Sequence, residues 1–357
     1  MVLHDVSAVG KGSMPRILND RHVDQLLPPA AALTDVRTAF ELLAAGEAQD
    51  EPRRRTGAGT VTLNVMSAIV PKLDAIAVKS YPVVRSGTNR GSVITLVLYS
   101  VETGAVRGVL QADLLGRRRT SAASALATQA MARTDSSTVC LLGTGFQAPA
   151  QIAALVEVMP RVRTVLVVGR NVDRAAAVAA GLREAYPWLH IESGDRPERA
   201  VPRADVVITA TGATEPLFDG ALLRPGTHVN AVGSNHAQRR ELDSTTLRRA
   251  NCVAVDSAAV ARLECGDLLA NGLDPRMAVE FADIVVGATR GRENEDDITV
   301  FESHGLAVQD LVCAMRVVGA AAEAELGSVV YLGGEPDAGE GAVVHQHDSE
   351  QGQRRNA

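Results

Sequence analysis

Gly143, Gly145 and Ala148 are the residues that most constrain the fold of this chain. They form G-x-G-x-x-A directly after the apolar run 138–143 and at the start of a helix expected around 147–158. In that setting the first glycine permits a tight turn, the second lets the backbone approach a pyrophosphate, and the small third residue allows close helix–strand packing. The pattern predicts a dinucleotide site. The alternative is a glycine-rich turn that binds nothing.

The rest of the chain separates into two patterns. From residue 138 onward apolar strands alternate with helices, which is typical of a parallel sheet covered on both faces; the strands are expected at 138–143, 163–169, 204–211, 227–233 and 251–256, and later helices at 172–186 and 304–324. Residues 60–112 instead indicate successive strands joined by Gly-containing turns. Helices at 33–46 and 120–133 bracket those strands. The fold class is therefore α/β.

Composition excludes several classes of protein. The 357 residues are 46% hydrophobic and 22% charged, as in ordinary globular proteins. A net charge of −6 argues against a general nucleic-acid coat, and no apolar run is long enough to span a membrane. The four cysteines are far apart and form no C-x-x-C, so we expect no metal site and a reducing, cytoplasmic location. The ends, 1–14 and 334–357, are expected to be disordered.

The end of the second strand of the alternating region bears on the choice of cofactor. NAD enzymes usually place an acid there for the ribose hydroxyls, but this strand ends Val168-Gly169-Arg170-Asn171. An arginine can pair with a 2′-phosphate. The sequence thus favours NADP(H) over NAD(H). The alternative is a surface arginine at a strand end.

Cationic residues interrupt the strands and helix starts of the first region. Lys79 lies within a strand, and arginine runs occupy 53–55 and 117–119. Cations near a nucleotide site in a net-acidic protein suggest an anionic substrate. The alternative is that the runs are simply solvated.

The chain resembles the ornithine cyclodeaminase/mu-crystallin family over about residues 15–326. The segments that carry the resemblance include 52–54, 64–66, 78–79, 119–123, 142–148, 209–211, 228–233, 240–243 and 299–303. The resemblance implies a Rossmann-type dinucleotide-binding domain at 129–302. It also implies a discontinuous α+β substrate and dimerisation domain at 15–128 with 303–326, and therefore a homodimer. Family members act on small α-amino or α-imino carboxylates with a nicotinamide cofactor.

The resemblance also assigns roles to individual residues. Arg54 and Arg119 are expected to hold the substrate carboxylate, with Arg53 or Arg55 as alternatives to Arg54. Lys79 is expected beside the carboxylate and the reacting nitrogen, either as proton donor or as an electrostatic contact. Met66 and His304 are expected to line the substrate pocket. The expected cofactor-binding residues are Ser92, Thr120, Gly143, Gly145, Phe146, Gln147, Arg170, Asn171, Thr211, Val232, Gly233 and Ser303.

One departure from the family pattern bears on the chemistry. Cyclodeaminases carry an acid two positions after the glycine of N-A-V-G, where this chain has Asn235. An amide cannot accept the proton that ring closure of a diamine releases, so Asn235 is expected to orient the substrate nitrogen or the nicotinamide amide. The predicted function is NADPH-dependent reduction of a small α-imino or cyclic ketimine carboxylate. The alternatives are an ornithine- or lysine-type cyclodeaminase with tightly bound cofactor, and a non-catalytic binder of small ligands.

Overall fold

The computed structural model describes residues 14–85 and 92–331. The ends expected to be disordered lie outside these residues, apart from Met14. The described strands are β1 (Arg16–Leu18), β2 (Gln49–Ala58), β3 (Val61–Val70), β4 (Ala75–Val84), β5 (Thr95–Tyr99), β6 (Val106–Gln111), β7 (Thr138–Leu142), β8 (Thr164–Val168), β9 (His190–Gly194), β10 (Val206–Thr209), β11 (His228–Ala231), β12 (Cys252–Val255), β13 (Val279–Glu280), β14 (Thr299–Glu302) and β15 (Ser328–Val329).

The helices flank and connect these strands. In the described residues they are α1 (Asp20–Leu26), α2 (Pro29–Ala44), α3 (Asp113–Met131), α4 (Ala148–Val158), α5 (Val172–Ala185), α6 (Pro197–Ala200), α7 (Ser244–Arg249), α8 (Ala258–Glu264), α9 (Gly266–Ala270), α10 (Phe281–Val285) and α11 (Ala307–Glu323). None of them is both long enough and apolar enough to cross a membrane.

The first sheet is mixed and has the strand order β15-β1-β6-β5-β4-β3-β2. Side chains alternate along β3: Met66 and Ala68 are buried, whereas Leu63 and Ile69 are exposed. This alternation follows from the two-residue repeat of a strand covered on one face. Helix α11 packs on the covered face, against β3 and β4.

The second sheet is parallel throughout and has the order β13-β12-β14-β11-β10-β7-β8-β9. Every residue of β10, β11 and β14 is buried, as expected for strands with helices on both faces. The predicted α/β fold is confirmed. The predicted domain boundary between residues 128 and 129 falls inside helix α3, which continues without a break from Asp113 to Met131. The predicted domain boundaries stay a prediction.

Some elements differ from the sequence expectation. Helix α3 begins at Asp113, not at residue 120, and the sequence did not indicate strand β2. Strand β2 contains Pro52 and three arginines and shows no apolar alternation. It forms because it is the edge strand of its sheet, where a proline costs no ladder hydrogen bond on the open side, and because a bulge lies between Glu51 and Arg54.

Candidate active site

A cavity of about 1300 Å³ lies between the two sheets. The turns that follow the strands of the parallel sheet line one side, and β2, β4, α3 and the 303–305 loop line the other. The position at the carboxyl ends of parallel strands is where open α/β sheets bind ligands.

The glycine-rich turn forms part of this cavity wall. Gly143 adopts a φ of +132°, and a Cβ there would lie 2.5 Å from the Ala210 carbonyl oxygen, so only glycine fits. Gly145, Phe146 and Gln147 also line the cavity, at the N-terminus of α4. The Oε1 atom of Gln147 is buried without a hydrogen-bond partner. This turn fits a pyrophosphate, since its backbone can approach closely and the helix N-terminus favours an anion.

Basic residues lie where β8 ends. Arg170 and Arg174 are exposed to solvent and line the cavity. Asn171 also lines it, but its Oδ1 accepts the Arg174 backbone N–H at 2.9 Å and so caps helix α5. Asp195 and Glu198, which follow β9, lie at the same end of the cavity. An arginine therefore occupies the place of the usual ribose-binding acid. The acidic residues named at this end of the cavity, Asp195 and Glu198, follow the neighbouring strand β9.

Glu241 holds together the turns that follow β10 and β11. Its carboxylate accepts hydrogen bonds from Thr211 N–H at 2.7 Å, Thr211 Oγ1 at 2.6 Å and Gly233 N–H at 2.9 Å. Burial raises the pKa of Glu241 to about 7, against the lowering effect of these hydrogen bonds. Thr211, Val232, Gly233 and Ser303 line the cavity here. Their contact with the nicotinamide end of the cofactor stays a prediction.

Lys79 and Arg119 meet at a buried carboxylate. Lys79 Nζ lies 2.9 and 3.1 Å from the two carboxylate oxygens of Asp310, and Arg119 Nε donates to Oδ1 at 3.1 Å. Burial lowers the pKa of Lys79 to about 8; Asp310 opposes this shift, while Arg119 and Arg53 contribute to it. Asp310, which lies within the last helix, thus holds both predicted substrate-binding cations in the cavity wall.

The structure places Arg53 in the cavity wall, where the sequence analysis expected Arg54. Arg53 is buried and lines the cavity; it is ion-paired with Glu264 and donates to the His304 carbonyl oxygen at 3.1 Å. Arg54 is exposed and does not line the cavity. Neighbouring strand residues point to opposite faces, so Arg54 cannot share the position of Arg53. Arg55 lies on the other side of Arg54 and donates to the Asn235 carbonyl oxygen at 2.6 Å.

Asp256 fixes the loop after β14. Its carboxylate accepts the backbone N–H groups of His304 at 2.7 Å and Gly305 at 2.6 Å, and it lies 3.2 Å from His304 Nδ1. Burial acts to raise the pKa of Asp256, but the hydrogen bonds from His304 and Gly305 lower it below its usual range. Gly305 has a φ of +84° and lies against the Arg119 guanidinium, which leaves no room for a side chain.

Other predicted residues reach the cavity to different degrees. Asn235 and Thr120 line it, although the Thr120 hydroxyl donates to the Gly116 carbonyl oxygen at 2.8 Å within α3. Met66 does not line it: the side chain belongs to the hydrophobic core beside Lys79, its register partner on β4. Ser92, just before β5, is also outside the cavity lining.

Several residues of the site were missed by sequence reasoning. Glu264 and Asp256 are distant in sequence from the arginine and histidine that they hold. Arg117 lies over the Phe146 ring, 3.4 Å from its centroid, at the edge of the cavity. Arg117 belongs to a run that the sequence did single out as a candidate anion site.

One further cluster lies beneath the cavity. A ring nitrogen of His304, the Cys265 thiol and a Glu302 carboxylate oxygen lie within 4.8 Å of one another. Burial raises the pKa of both Cys265 and Glu302 well above their usual values. The expectation that the chain holds no metal stays a prediction.

Residues 15–325 match the ornithine cyclodeaminase/mu-crystallin family. The chain belongs to this family. The Δ1-pyrroline-2-carboxylate reductase of Bacillus cereus is 34% identical over 277 residues, which cover 75% of this chain and 84% of that protein. The mouse ketimine reductase mu-crystallin is 32% identical over 260 residues, which cover 71% of this chain and 79% of that protein.

A solved structure of the same family has a closely similar fold. The Δ1-pyrroline-2-carboxylate reductase of Thermococcus litoralis, in complex with NADH and L-proline, superposes with a TM-score of 0.84 at 30% identity. The match covers 88% of this chain and all of that one. The resemblance stated from the sequence is therefore confirmed.

Proposed function

We propose that this chain is an NADPH-preferring reductase of a small α-imino carboxylate, in particular a cyclic ketimine carboxylate, and that it forms the α-amino or cyclic imino acid. The observation that carries the proposal is the group of Arg53, Lys79 and Arg119 at one end of the dinucleotide cavity. The relatives named above are imine and ketimine reductases, and the one from T. litoralis has a closely similar fold.

The cations supply the substrate site. Arg53 and Arg119 bind the carboxylate, since guanidinium groups match carboxylate geometry. Lys79 adds a positive charge that Asp310 holds in place at 2.9 Å. Fixing the carboxylate fixes C2 of the imine, which brings it into reach of the nicotinamide. The nicotinamide, when bound, supplies the hydride that C2 accepts.

Asn235 has a positioning role. It lines the cavity, and its backbone carbonyl is held by Arg55. Its amide can donate to or accept from the substrate nitrogen or the nicotinamide amide, but it does not act as a base. This favours reduction over cyclodeamination.

The preference for NADPH rests on the end of β8. Arg170 lines the cavity at the position of the ribose-binding acid, with Arg174 one helical turn further on. Two guanidinium groups there match a 2′-phosphate. The T. litoralis relative was solved with NADH, so the cofactor preference of this chain is to be measured on the chain itself.

A homodimer is part of the proposal. The outer face of the first sheet carries three apolar side chains of β3, Val61, Leu63 and Ile69, each 40–42% exposed. Helix α11 covers only the opposite face. An apolar sheet face of this kind is suited to burial against a second copy.

The test is NADPH consumption with five- and six-membered cyclic imine carboxylates and with pyruvate plus amines, with NADH in parallel. We expect consumption with at least one imine, faster with NADPH. Ammonia release from ornithine or lysine without NADPH consumption would contradict the proposal and indicate a cyclodeaminase. Tight NADPH binding without turnover of any of these substrates would also contradict it.

A further inference from the structure

Arg117 lines the cavity but takes no part in the proposed carboxylate site. It lies on α3, and its guanidinium carbon is 3.4 Å from the centroid of the Phe146 ring. Phe146 belongs to the glycine-rich turn and is 53% exposed, which is unusual for a large apolar side chain. Both residues line the cavity. The stacked pair therefore places a cation from α3 beside the turn that fits a pyrophosphate.

The hydrogen-bond donors of Arg117 have no partner in the protein. Its Nε is buried without a hydrogen bond, and among the described residues the guanidinium forms no hydrogen bond or ion pair. Asp20 and Asp113 are its acidic neighbours. Asp20 instead accepts the Leu114 N–H at 3.0 Å, and Asp113 accepts the Ile94 N–H at 3.2 Å. Since half-buried polar groups normally have partners, these free donors in a cavity wall point to an anionic ligand.

The other arginines of this part of the cavity differ from Arg117. Arg53 is paired with Glu264, and Arg119 is paired with Asp310. Both carboxylates are fully buried, so each offsets part of the positive charge of its arginine. Arg117 has no such ion pair within the described residues and directs its whole charge at the cavity.

The position of Arg117 along α3 relates the glycine turn to the proposed carboxylate site. A Cβ on Gly116 would lie 3.4 Å from Lys79 Nζ, so residue 116 borders the carboxylate site. Arg117 follows it, turned by about 100° around the helix axis, and contacts the glycine turn through Phe146. Thr120, which lines the same cavity, lies one helical turn after these two residues. Arg117 is therefore placed between the two parts of the site.

We propose that Arg117 binds the pyrophosphate of the nicotinamide dinucleotide and that the Phe146 ring holds its guanidinium in place. The proposal rests on the cofactor class assigned in the proposed function. Each phosphate of the cofactor carries a negative charge, whereas the glycine turn offers only backbone N–H groups and a helix N-terminus. Arg117 adds a full positive charge in a planar group that matches phosphate oxygens. Because it comes from α3, the cofactor is held from outside the parallel sheet as well as from within it.

The test compares Arg117→Met with the wild type by measuring the Kd of NADPH and of NADH through nicotinamide fluorescence. Methionine keeps an unbranched apolar stem against Phe146 and removes the charge. We expect the Kd of both cofactors to rise about tenfold or more, because both contain the pyrophosphate. Arg170→Ala, in contrast, weakens NADPH alone. Added KCl weakens binding to the wild type more steeply than binding to Arg117→Met, since the lost contact is electrostatic.

Arg21→Met is the matched control. Arg21 is an exposed arginine of α1 outside the cavity lining, so the same substitution there leaves both Kd values unchanged. Urea unfolding reports whether Arg117→Met is folded. If it is not, Arg117→Lys is measured in the same way; it keeps the charge but loses the planar group, and a smaller rise in both Kd values is expected.

Other outcomes would overturn the assignment. Unchanged Kd values with a raised KM for the imine would place Arg117 in the substrate site, and a rise for NADPH alone would place it at the 2′-phosphate. A rise with an unaltered salt dependence would show that Arg117 only shapes the cavity. A wild type that binds both cofactors but reduces no imine would overturn the proposed function and leave the Arg117 assignment standing. A wild type that binds neither cofactor would overturn both.

Discussion

Arg53 and Arg54 are neighbours in the chain but have opposite environments. Arg53 is buried against Glu264 and lines the cavity, whereas Arg54 is exposed. The two positions therefore provide a matched pair for testing the carboxylate site, since the same substitution is made one residue apart on the same strand.

Arg53→Lys is expected to raise KM for the imine at least tenfold, and Arg54→Lys to leave it unchanged. A lysine keeps the charge but loses the planar, bidentate donor that a carboxylate matches, and a charge-assisted hydrogen bond is worth about 1.5–3 kcal/mol. Steady-state kinetics with saturating NADPH measures the effect. Equal KM values for the two variants would mean that Arg53 does not touch the substrate.

Arg170 provides the corresponding test for the cofactor. Arg170→Ala is expected to raise KM for NADPH about tenfold or more, because the 2′-phosphate loses a cationic partner, and to leave KM for NADH unchanged. NADH lacks that phosphate and thus serves as the internal control. A parallel rise for both cofactors would indicate that Arg170 contacts the adenosine that they share, and would refute the proposed phosphate contact.

At the scale of elements, edge strand β2 connects helix α11 to the site. Asp50 on β2 accepts the Val308 backbone N–H at 2.7 Å, so it caps α11 from outside the helix. The same helix carries Asp310, which holds Lys79 and Arg119. One edge strand therefore positions Arg53 directly and the other two cations indirectly.

Asp50 also makes stability depend on pH. Burial raises its pKa to about 7, against the lowering effect of the Val308 hydrogen bond, from an unfolded value of about 3.9. Between these two values the folded state holds a proton that the unfolded state has released. The free energy of unfolding therefore falls as pH rises through this window, by up to about 4 kcal/mol at about 1.4 kcal/mol per pKa unit.

Asp50→Asn removes this contribution while keeping an acceptor for the Val308 N–H. We expect the variant to be more stable than the wild type at pH 8 and no more stable at pH 5, as measured by urea unfolding. Glu241 and Asp267, whose pKa values burial also raises, are the same in both proteins, so the difference isolates Asp50. A difference independent of pH would show that Asp50 is charged throughout the range.

At the scale of the whole molecule, the first sheet has one face covered by α11 and one apolar face exposed. Leu63→Glu on the exposed face is expected to convert a homodimer into a monomer, because the charge would be buried at the contact. Light scattering after gel filtration measures the mass. Trp188→Glu is the control, since Trp188 is 62% exposed and lies away from this sheet. A dimer that survives Leu63→Glu and dissociates with Trp188→Glu would place the interface elsewhere.

Features that depend on neighbouring residues could be predicted before the fold was known. The strand–turn–helix around Gly143 and the parallel sheet follow from local backbone requirements and from apolar patterns that a short segment contains. The family came from the resemblance of motif segments along residues 15–326. Lys79 and Arg119 were also identified, through segments that resemble the family. Arg53 was left among three adjacent arginines, because a proline-containing edge strand with a bulge has no apolar alternation to set its register.

The pairing of charged groups became visible in the folded chain alone. Lys79 and Asp310 are 231 residues apart, Arg53 and Glu264 are 211 apart, and Asp256 and His304 are 48 apart. No local pattern encodes such pairs, because they depend on how the two sheets and α11 come together. The physical reason is that a buried charge requires a partner wherever the chain provides one, and the fold alone sets which partner is within reach.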